Sequence, residues 1–486
     1  MRPRRYARCA LAGYDDITRD IQDGPAGPEV AAFFDLDRTL IAGFSVFPLV
    51  FDGLMTGRIG PAGLALTSLA GLRFQLGQLG FSGFVAEAAG MLRGEQEAAL
   101  VEVGERLYSD RLAADVYPEA RALVRAHRRR GHTTAVVSSA TRYQIEPLAR
   151  DLGIEHVLCT RLEVRDGRFT GAIEPPLCYG EGKLEAAREL AERRGLDLRE
   201  SFFYTDSDED LPLLEQVGRP RPTNPNRRLA TIAARRGWPS RTFHTRGLPS
   251  VTDVVRTSLS VASLAPSLLL GVPAGLFEGS WRQVINLAAT TWGELGTALA
   301  GIRLSVTGEQ HLWSHRPAVF IFNHQSAIDV LILCKLLHRD FVGISKQEIR
   351  RNPIFGPAFA LAGTVFIDRS NRTKAIEALQ PAVEALREGL SIAIAPEGTR
   401  SSTGRLGRFK KGAFHIAMAG HRPIVPIVIR NALDALPKHG FIARPATVDV
   451  VVHPPIATDG WSLTTLDREI AAIEQLYRDT LEAWSS

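Results

Sequence analysis

The sequence predicts two successive α/β units joined by an apolar helical linker. Three observations support this. Short apolar runs alternate with helix-period segments in both halves of the chain. Most of these runs end directly on a polar residue suited to chemistry, and parallel α/β sheets bind ligands at the carboxyl ends of their strands. Between the halves, residues 257–277 carry no charge. At 486 residues the chain has length for two or three domains, each with its own core.

The chain opens on a basic arm, Arg2, Arg4, Arg5 and Arg8, with no apolar run behind it. It therefore does not read as a signal peptide, and residues 1–28 are expected to be disordered. The net charge of +5 suits an anionic membrane surface but equally a solvated arginine-rich one. No basic helix, zinc spacing or aromatic–basic stripe points to nucleic acid. Cys9, Cys159, Cys178 and Cys334 are scattered and form no pair motif, which points to a reducing compartment, the cytoplasm. Lysine is rare: Lys183, Lys335, Lys346, Lys374, Lys410, Lys411 and Lys438 are the full set. Arginine is thus the default cation, and a lysine marks a place where an ammonium is wanted.

In the first half, Val30–Phe34, Thr133–Val137 and Phe202–Thr205 read as strands. Asp35 and Asp37 follow the first, two carboxylates at i and i+2, fit for a nucleophile and a general acid/base. Ser138 follows the second, placing a hydroxyl beside a bound phosphoryl group. Lys183, the only lysine in the first 334 residues, opens a helix, where its point charge would balance a phosphorylated aspartate. Asp206, Asp208, Glu209 and Asp210 follow the third strand, and hard carboxylate oxygens suit magnesium.

In order and spacing these blocks resemble the haloacid dehalogenase superfamily, in its phosphoserine-phosphatase-like branch. The likeness includes Thr223-Asn224-Pro225 and Gly237-Trp238-Pro239. It implies a Rossmann-like parallel sheet over residues 29–245 with a helical cap over about 44–116. Asp35 would be the nucleophile, Asp37 the acid/base, and Ser138 and Lys183 the phosphate ligands. Magnesium would sit among Asp35, Asp37, Asp206 and Asp210. Ser139 and Ser207 stand where many members have glycine. From Phe44 to Leu92 the only charges are Asp52, Arg58, Arg73 and Glu87, with no evident set for an amino acid's carboxylate and ammonium. Phosphoserine is therefore a doubtful substrate, and an apolar cap suits a lipid phosphate or a membrane surface equally.

The linker, 246–303, contains the uncharged stretch, long enough to cross a bilayer, which takes about 20 residues. Gly271, Gly275, Pro266 and Pro273 make it a poor straight span. Behind it, Ala288, Trp292, Leu295, Leu299 and Ile302 recur at spacings of three and four. They form one apolar face with a tryptophan suited to an interface; the alternative is that these segments form a buried core hairpin.

In the second half (304–486), Ala318–Phe322, Gly363–Ile367 and Ser391–Ala395 read as strands, and the mid-strand proline of Ile424-Val425-Pro426-Ile427 suits an edge or bulge. His324 and Asp329 lie five residues apart. If the chain continues as a helix, the carboxylate reaches the imidazole and the pair is a general base. Arg369, Arg400 and Lys346 are cations suited to a phosphate. In sequence, these blocks resemble the glycerophospholipid acyltransferases, in the 1-acylglycerol-3-phosphate branch. That resemblance implies His324 and Asp329 as the catalytic pair and Lys346 and Arg369 as ligands of the acceptor phosphate. Glu397, Gly398, Thr399 and Arg400 would shape the acceptor site, with Ala395 where an aromatic is common. It implies an acyl-CoA or acyl-ACP donor, a lysophosphatidic acid acceptor, contact with membrane lipids, and no cofactor.

The expectation is thus a bifunctional phospholipid-biosynthesis enzyme, membrane-associated, with both catalytic domains cytoplasmic. The alternatives are an acyltransferase carrying a silent regulatory or anchoring hydrolase-like domain, and a membrane scaffold with both sites inactive.

Overall fold

The structure, a computed structural model, describes residues 15–56, 81–367 and 379–483. It divides into two compact units, with the boundary between Leu248 and Pro249.

The first unit is built on a six-stranded sheet: β1 (Ala31–Phe34), β2 (Thr133–Thr141), β3 (His156–Arg165), β4 (Arg168–Glu174), β5 (Phe202–Thr205) and β6 (Arg219–Pro222), in the order β4-β3-β2-β1-β5-β6. All neighbours are parallel except β3 with β4. The central strand shows why a run without polar residues forms here. Ala32 and Phe34 enter one buried cluster and Ala31 and Phe33 the other, so both faces of the sheet are covered by helices. In register, Phe34 lies beside Val136 and Tyr204, which brings the carboxyl ends of β1, β2 and β5 level.

Part of the expected disordered arm is folded. Asp15–Gln22 is a helix whose Ile21 is buried, and its Asp20 accepts from Arg221 (2.7 Å) and Arg241 (2.6 Å). Ile21, with Ile17 packed beside it, and a doubly satisfied carboxylate hold it to the unit. Of the cap, Val46–Met55, Phe81–Gly90 and Glu97–Leu107 are helices. Arg58 and Arg73 lie outside the described residues.

The second unit carries a seven-stranded sheet: β7 (Ile302–Thr307), β8 (Val319–Phe322), β9 (Phe341–Lys346), β10 (Val365–Ile367), β11 (Ser391–Ile394), β12 (Ile424–Ile429) and β13 (Ala446–Val452), ordered β10-β9-β11-β8-β12-β13-β7. Only β12 and β13 pair antiparallel. The expectation of an edge or bulge at Pro426 is corrected: β12 is a fully buried interior strand between β8 and β13. Proline lacks a donor but keeps its acceptor, and the Pro426 carbonyl takes the His453 N–H at 2.9 Å.

The linker segment belongs to the second unit and forms three helices, Val251–Ala262, Leu264–Glu278 and Trp281–Ala300. The face expected to meet an interface is internal at Ala288, Trp292 and Ile302, while Leu295 stays exposed. Trp292 is 5% exposed, packs with Leu331 and Cys334, and donates to the Ser260 carbonyl at 3.3 Å. Gly293 is the reason the helices fit. A Cβ there would stand 2.5 Å from the Lys335 backbone nitrogen. Exposed apolar side chains occur on all three helices: Val251 and Leu259 on the first, Leu269, Leu270, Leu276 and Phe277 on the second, Trp281 and Leu287 on the third. The helical stretch Val251–Pro273 is long and apolar enough to cross a membrane by length and composition.

Two candidate active sites

In the first unit, Asp35 leaves the end of β1, its N–H donating to the Tyr204 carbonyl at 2.9 Å. Lys183 lies in the first turn of the helix Glu181–Arg194 and is buried. Its ammonium donates to Asp35 Oδ1 (3.0 Å) and to Asp210 Oδ2 (2.8 Å). Burial works against that charge, but Asp210 and Asp35 outweigh it and hold the lysine protonated far above its usual range. Thr205 Oγ1 donates to the same Asp210 oxygen at 2.5 Å. The Ser45 N–H donates to Asp37 Oδ1 at 2.8 Å, fixing the second carboxylate. Ser138 is buried in β2, which runs past it to Thr141. The structure thus gathers Asp35, Ser138, Lys183, Asp206 and Asp210 at one sheet edge, with Asp37 on the loop leaving it.

Burial and the neighbouring carboxylates Asp210, Asp206 and Asp37 push Asp35 up to about 7, against the pull of Lys183. Asp206 rises to about 6, by burial and by Asp210, against the pull of Arg38. Burial raises Asp37 too, opposed by its bonds from Ser45. Four carboxylates here (Asp35, Asp37, Asp206, Asp210) face two cations, Lys183 and Arg38. With all four ionised, the form a bound divalent cation favours, two negative charges remain for it to neutralise. Among the described residues no three such side chains already converge as a metal cage. Magnesium does not need one, since it is commonly held by one or two carboxylates, waters and substrate phosphate. The residues present fit the ion.

Arg38 was not singled out from the sequence. It has φ +57°, a conformation costly for a side-chain-bearing residue, and its guanidinium pairs with Asp206 at 3.1 Å. Its backbone oxygen accepts from Asn224 Nδ2 at 2.6 Å, which ties the Thr223-Asn224-Pro225 block to the site. In a chain this rich in arginine, only its place directly after Asp37 signals it.

In the second unit, β8 ends at Phe322 and Asn323 locks the turn, exchanging two bonds of 2.7 Å with the Ile429 backbone. His324 Nδ1 meets Asp329 Oδ2 at 2.7 Å. One expectation is corrected here. The chain from His324 to Asp329 is an extended stretch and a turn, and the helix begins only at Asp329. The pair meets because Asp329 Oδ2 also accepts the N–H groups of Gln325 (2.8 Å) and Ser326 (2.9 Å), winding the loop around one fully buried oxygen. With the carboxylate as acceptor, Nδ1 carries the proton and Nε2 is left as the base. Among the described residues His324 Nε2 has no protein partner.

Glu397 is buried and grips this loop. Its Oε1 accepts the His324 N–H (2.8 Å) and its Oε2 the Gly407 N–H (2.7 Å), while the Ser401 N–H donates to the His324 carbonyl at 2.7 Å. Burial pushes Glu397 up to about 7 despite these bonds. Thr399 is exposed and Arg400 partly so. Lys346 ends β9 on the same sheet edge. Arg369 lies outside the described residues. Lys410 is one of the few lysines, but the sequence did not assign it to this site. Its N–H bonds the Pro396 carbonyl at 2.8 Å, and its side chain lies across Gly398, whose φ is +74°. A Cβ on Gly398 would stand 2.8 Å from the Lys410 ammonium. Among the described residues no ion pair engages Lys346, Arg400 or Lys410.

Comparison with known proteins finds a different family in each unit. The haloacid dehalogenase-like hydrolase family profile matches residues 32–215, and the acyltransferase family profile matches residues 303–430. A 1-acyl-sn-glycerol-3-phosphate acyltransferase of Limnanthes alba is 37% identical over 199 residues, 41% of this chain and 70% of that protein. A probable phosphatase of Mycobacterium tuberculosis is 34% identical over 247 residues, 50% of this chain and 85% of that protein. A solved protein of unknown function from Bordetella pertussis is 32% identical, covers 43% of this chain and 97% of its own, and has a TM-score of 0.42. The chain belongs to the haloacid dehalogenase-like hydrolases through its first unit and to the 1-acyl-sn-glycerol-3-phosphate acyltransferases through its second.

Proposed function

We propose that the chain is a bifunctional enzyme of phospholipid biosynthesis. Its second unit transfers an acyl group from a thioester of coenzyme A or acyl carrier protein to 1-acyl-sn-glycerol 3-phosphate, giving phosphatidic acid. The observation that carries this reading is the His324–Asp329 pair, oriented by three donors on one carboxylate oxygen with Nε2 open. His324 Nε2 takes the proton of the acceptor hydroxyl as its oxygen attacks the thioester carbonyl. The C–S bond then breaks, the ester C–O bond remains, and the departing thiolate recovers the proton. Lys346, Arg369, Arg400 and Lys410 supply positive charge for the acceptor phosphate. Glu397 positions the loop rather than reacting.

The first unit hydrolyses a phosphate monoester. Asp35 attacks phosphorus and the bond to the leaving oxygen breaks, with Asp37 supplying its proton. Asp37 then takes a proton from water as the water oxygen attacks phosphorus; the bond from phosphorus to Asp35 breaks, which releases inorganic phosphate and restores the carboxylate. Ser138 and Lys183 hold the transferred group. Magnesium, when bound by Asp35 and Asp206, would neutralise phosphate charge. Asp35→Asn keeps the size but removes the nucleophile, so magnesium-dependent phosphate release should vanish. No release by the wild-type chain from a broad panel of phosphate monoesters would defeat this half of the reading.

We place the chain at a membrane, both sites cytoplasmic, with Leu264–Glu278 as the inserted element. The support is its exposed Leu269, Leu270, Leu276 and Phe277 within the apolar stretch. Release from membranes by high salt alone would contradict insertion, because salt screens only electrostatic binding.

A further inference from the structure

The helix that follows the hydrolase's catalytic loop bears on what that site accepts. The Ser45 N–H donates to Asp37, and Ser45 Oγ accepts from Gln144 Nε2 at 3.1 Å, so the chain is anchored at the reacting groups. The helix Val46–Met55 starts at the next residue. Phe44, Phe47, Phe51 and Met55 recur at spacings of three and four and form one stripe, 46%, 67%, 44% and 72% exposed. Gly53, on the opposite side, is buried, and Leu49 packs against the cluster of Leu100, Val103 and Leu107. The helix is thus seated by its other face, and the stripe is what it presents outward.

The stripe runs for about 16 Å at 1.5 Å per residue. The helix's one charge, Asp52, is held by two bonds from Arg106, at 2.8 and 2.9 Å. Arg111 stacks over the Phe51 ring at 4.7 Å. An exposed apolar run beside a polar reaction centre offers a surface along which a ligand's apolar chain can lie.

We propose that the first unit's substrate is the phosphate monoester of an acylated glycerol. The phosphate lies at Asp35, Ser138 and Lys183, and the acyl chain lies along Phe44, Phe47 and Phe51. This rests on the phosphatase reading. The occupant is the chain of the bound substrate molecule rather than a bilayer, because the stripe begins one residue from the group that fixes Asp37. A molecule held there by its phosphate meets the stripe first.

The test uses the full chain with magnesium, no acyl donor, and substrates below their micelle concentrations. Phosphate release is followed from short-chain lysophosphatidates of increasing length, short-chain phosphatidate, glycerol 3-phosphate, phosphoserine and an aryl phosphate. The expected result is a kcat/KM that climbs by roughly two- to four-fold per methylene over glycerol 3-phosphate. Phe47→Ser and Phe51→Ser should flatten that climb, with melting curves reporting that the fold is kept. The lysophosphatidate and phosphatidate arms tell which acylglycerol is preferred. Equal turnover of phosphoserine or glycerol 3-phosphate would overturn the proposal. So would an unchanged climb in the variants, including the case where they lose only vesicle binding. Absence of release from every substrate, the aryl phosphate included, would instead remove the phosphatase reading beneath it.

Discussion

At the scale of single residues, each site turns on one group held by an oxygen that several donors share. Asp329 takes three donors on Oδ2, and that fixes which imidazole nitrogen is basic. His324→Ala should lower acyl-transfer kcat/KM by about 10²–10⁴-fold, the usual worth of a general base. Asp329→Asn should lower kcat more than it raises KM, because the tautomer is lost while the acceptor site stays. Near-normal turnover in either variant would contradict the assignment. Lys410→Met should raise KM for a phosphate-bearing acceptor and leave KM for the acyl donor unchanged, read from initial-rate kinetics. The carboxylates brought together at the first site, Ser138, Lys183 and His324 were legible because each ends a strand or stands alone in its chemistry. Arg38 and Lys410 were not. Their roles depend on backbone at positive φ, in Arg38 itself and in the Gly398 beneath Lys410, and that cannot be read from residue type.

Among the elements, strand positions were readable because both faces of each sheet are covered, so central strands are continuous apolar runs. Helical apolar faces were harder, since a stripe that meets lipid and one that meets another helix have the same period. Trp292 went to the second kind. Trp292→Ala should therefore destabilise the second unit by about 3–5 kcal/mol, the usual cost of emptying a large buried site, measurable by denaturant titration. A change within error would return that face to the surface. In the first unit, a buried relay joins helix, loop and strand. Tyr204 OH donates to His127 Nε2 (2.8 Å), His127 Nδ1 to His132 Nδ1 (2.8 Å), and His132 Nε2 to the Pro25 carbonyl (2.9 Å). Each bond is satisfied with both rings neutral. Burial, each other's charge and Arg221 and Arg241 nearby hold His127 well below its usual range, and burial lowers His132. The unfolded histidines take up protons near pH 6.5 and the folded ones do not. Stability from this relay is thus whole above about pH 6.5 and falls as the pH drops below it. Asp35 and Asp206, raised by burial, work in the opposite sense over this range, so the relay is read by difference: His127→Gln should remove a component of the first unit's melting temperature that falls from pH 8 to pH 5. Parallel profiles for wild type and variant would refute it.

The whole molecule is two units, each with its own sheet, its own buried clusters and its own group of polar residues at strand ends. The sequence showed this pairing because both sets occur in order within the span of their own unit. It did not show where the linker belongs, since the three helices between the sheets join the second unit by packing that composition does not reveal. The central claim is that both sites work, independently, in one chain. The most direct measurement is to assay full-length Asp35→Asn and His324→Ala proteins, each for magnesium-dependent phosphate release and for acyl transfer to lysophosphatidate. The account predicts that Asp35→Asn loses phosphate release and keeps acyl transfer, and that His324→Ala does the reverse. Loss of both activities in either variant, or retention of phosphate release by Asp35→Asn, would contradict it.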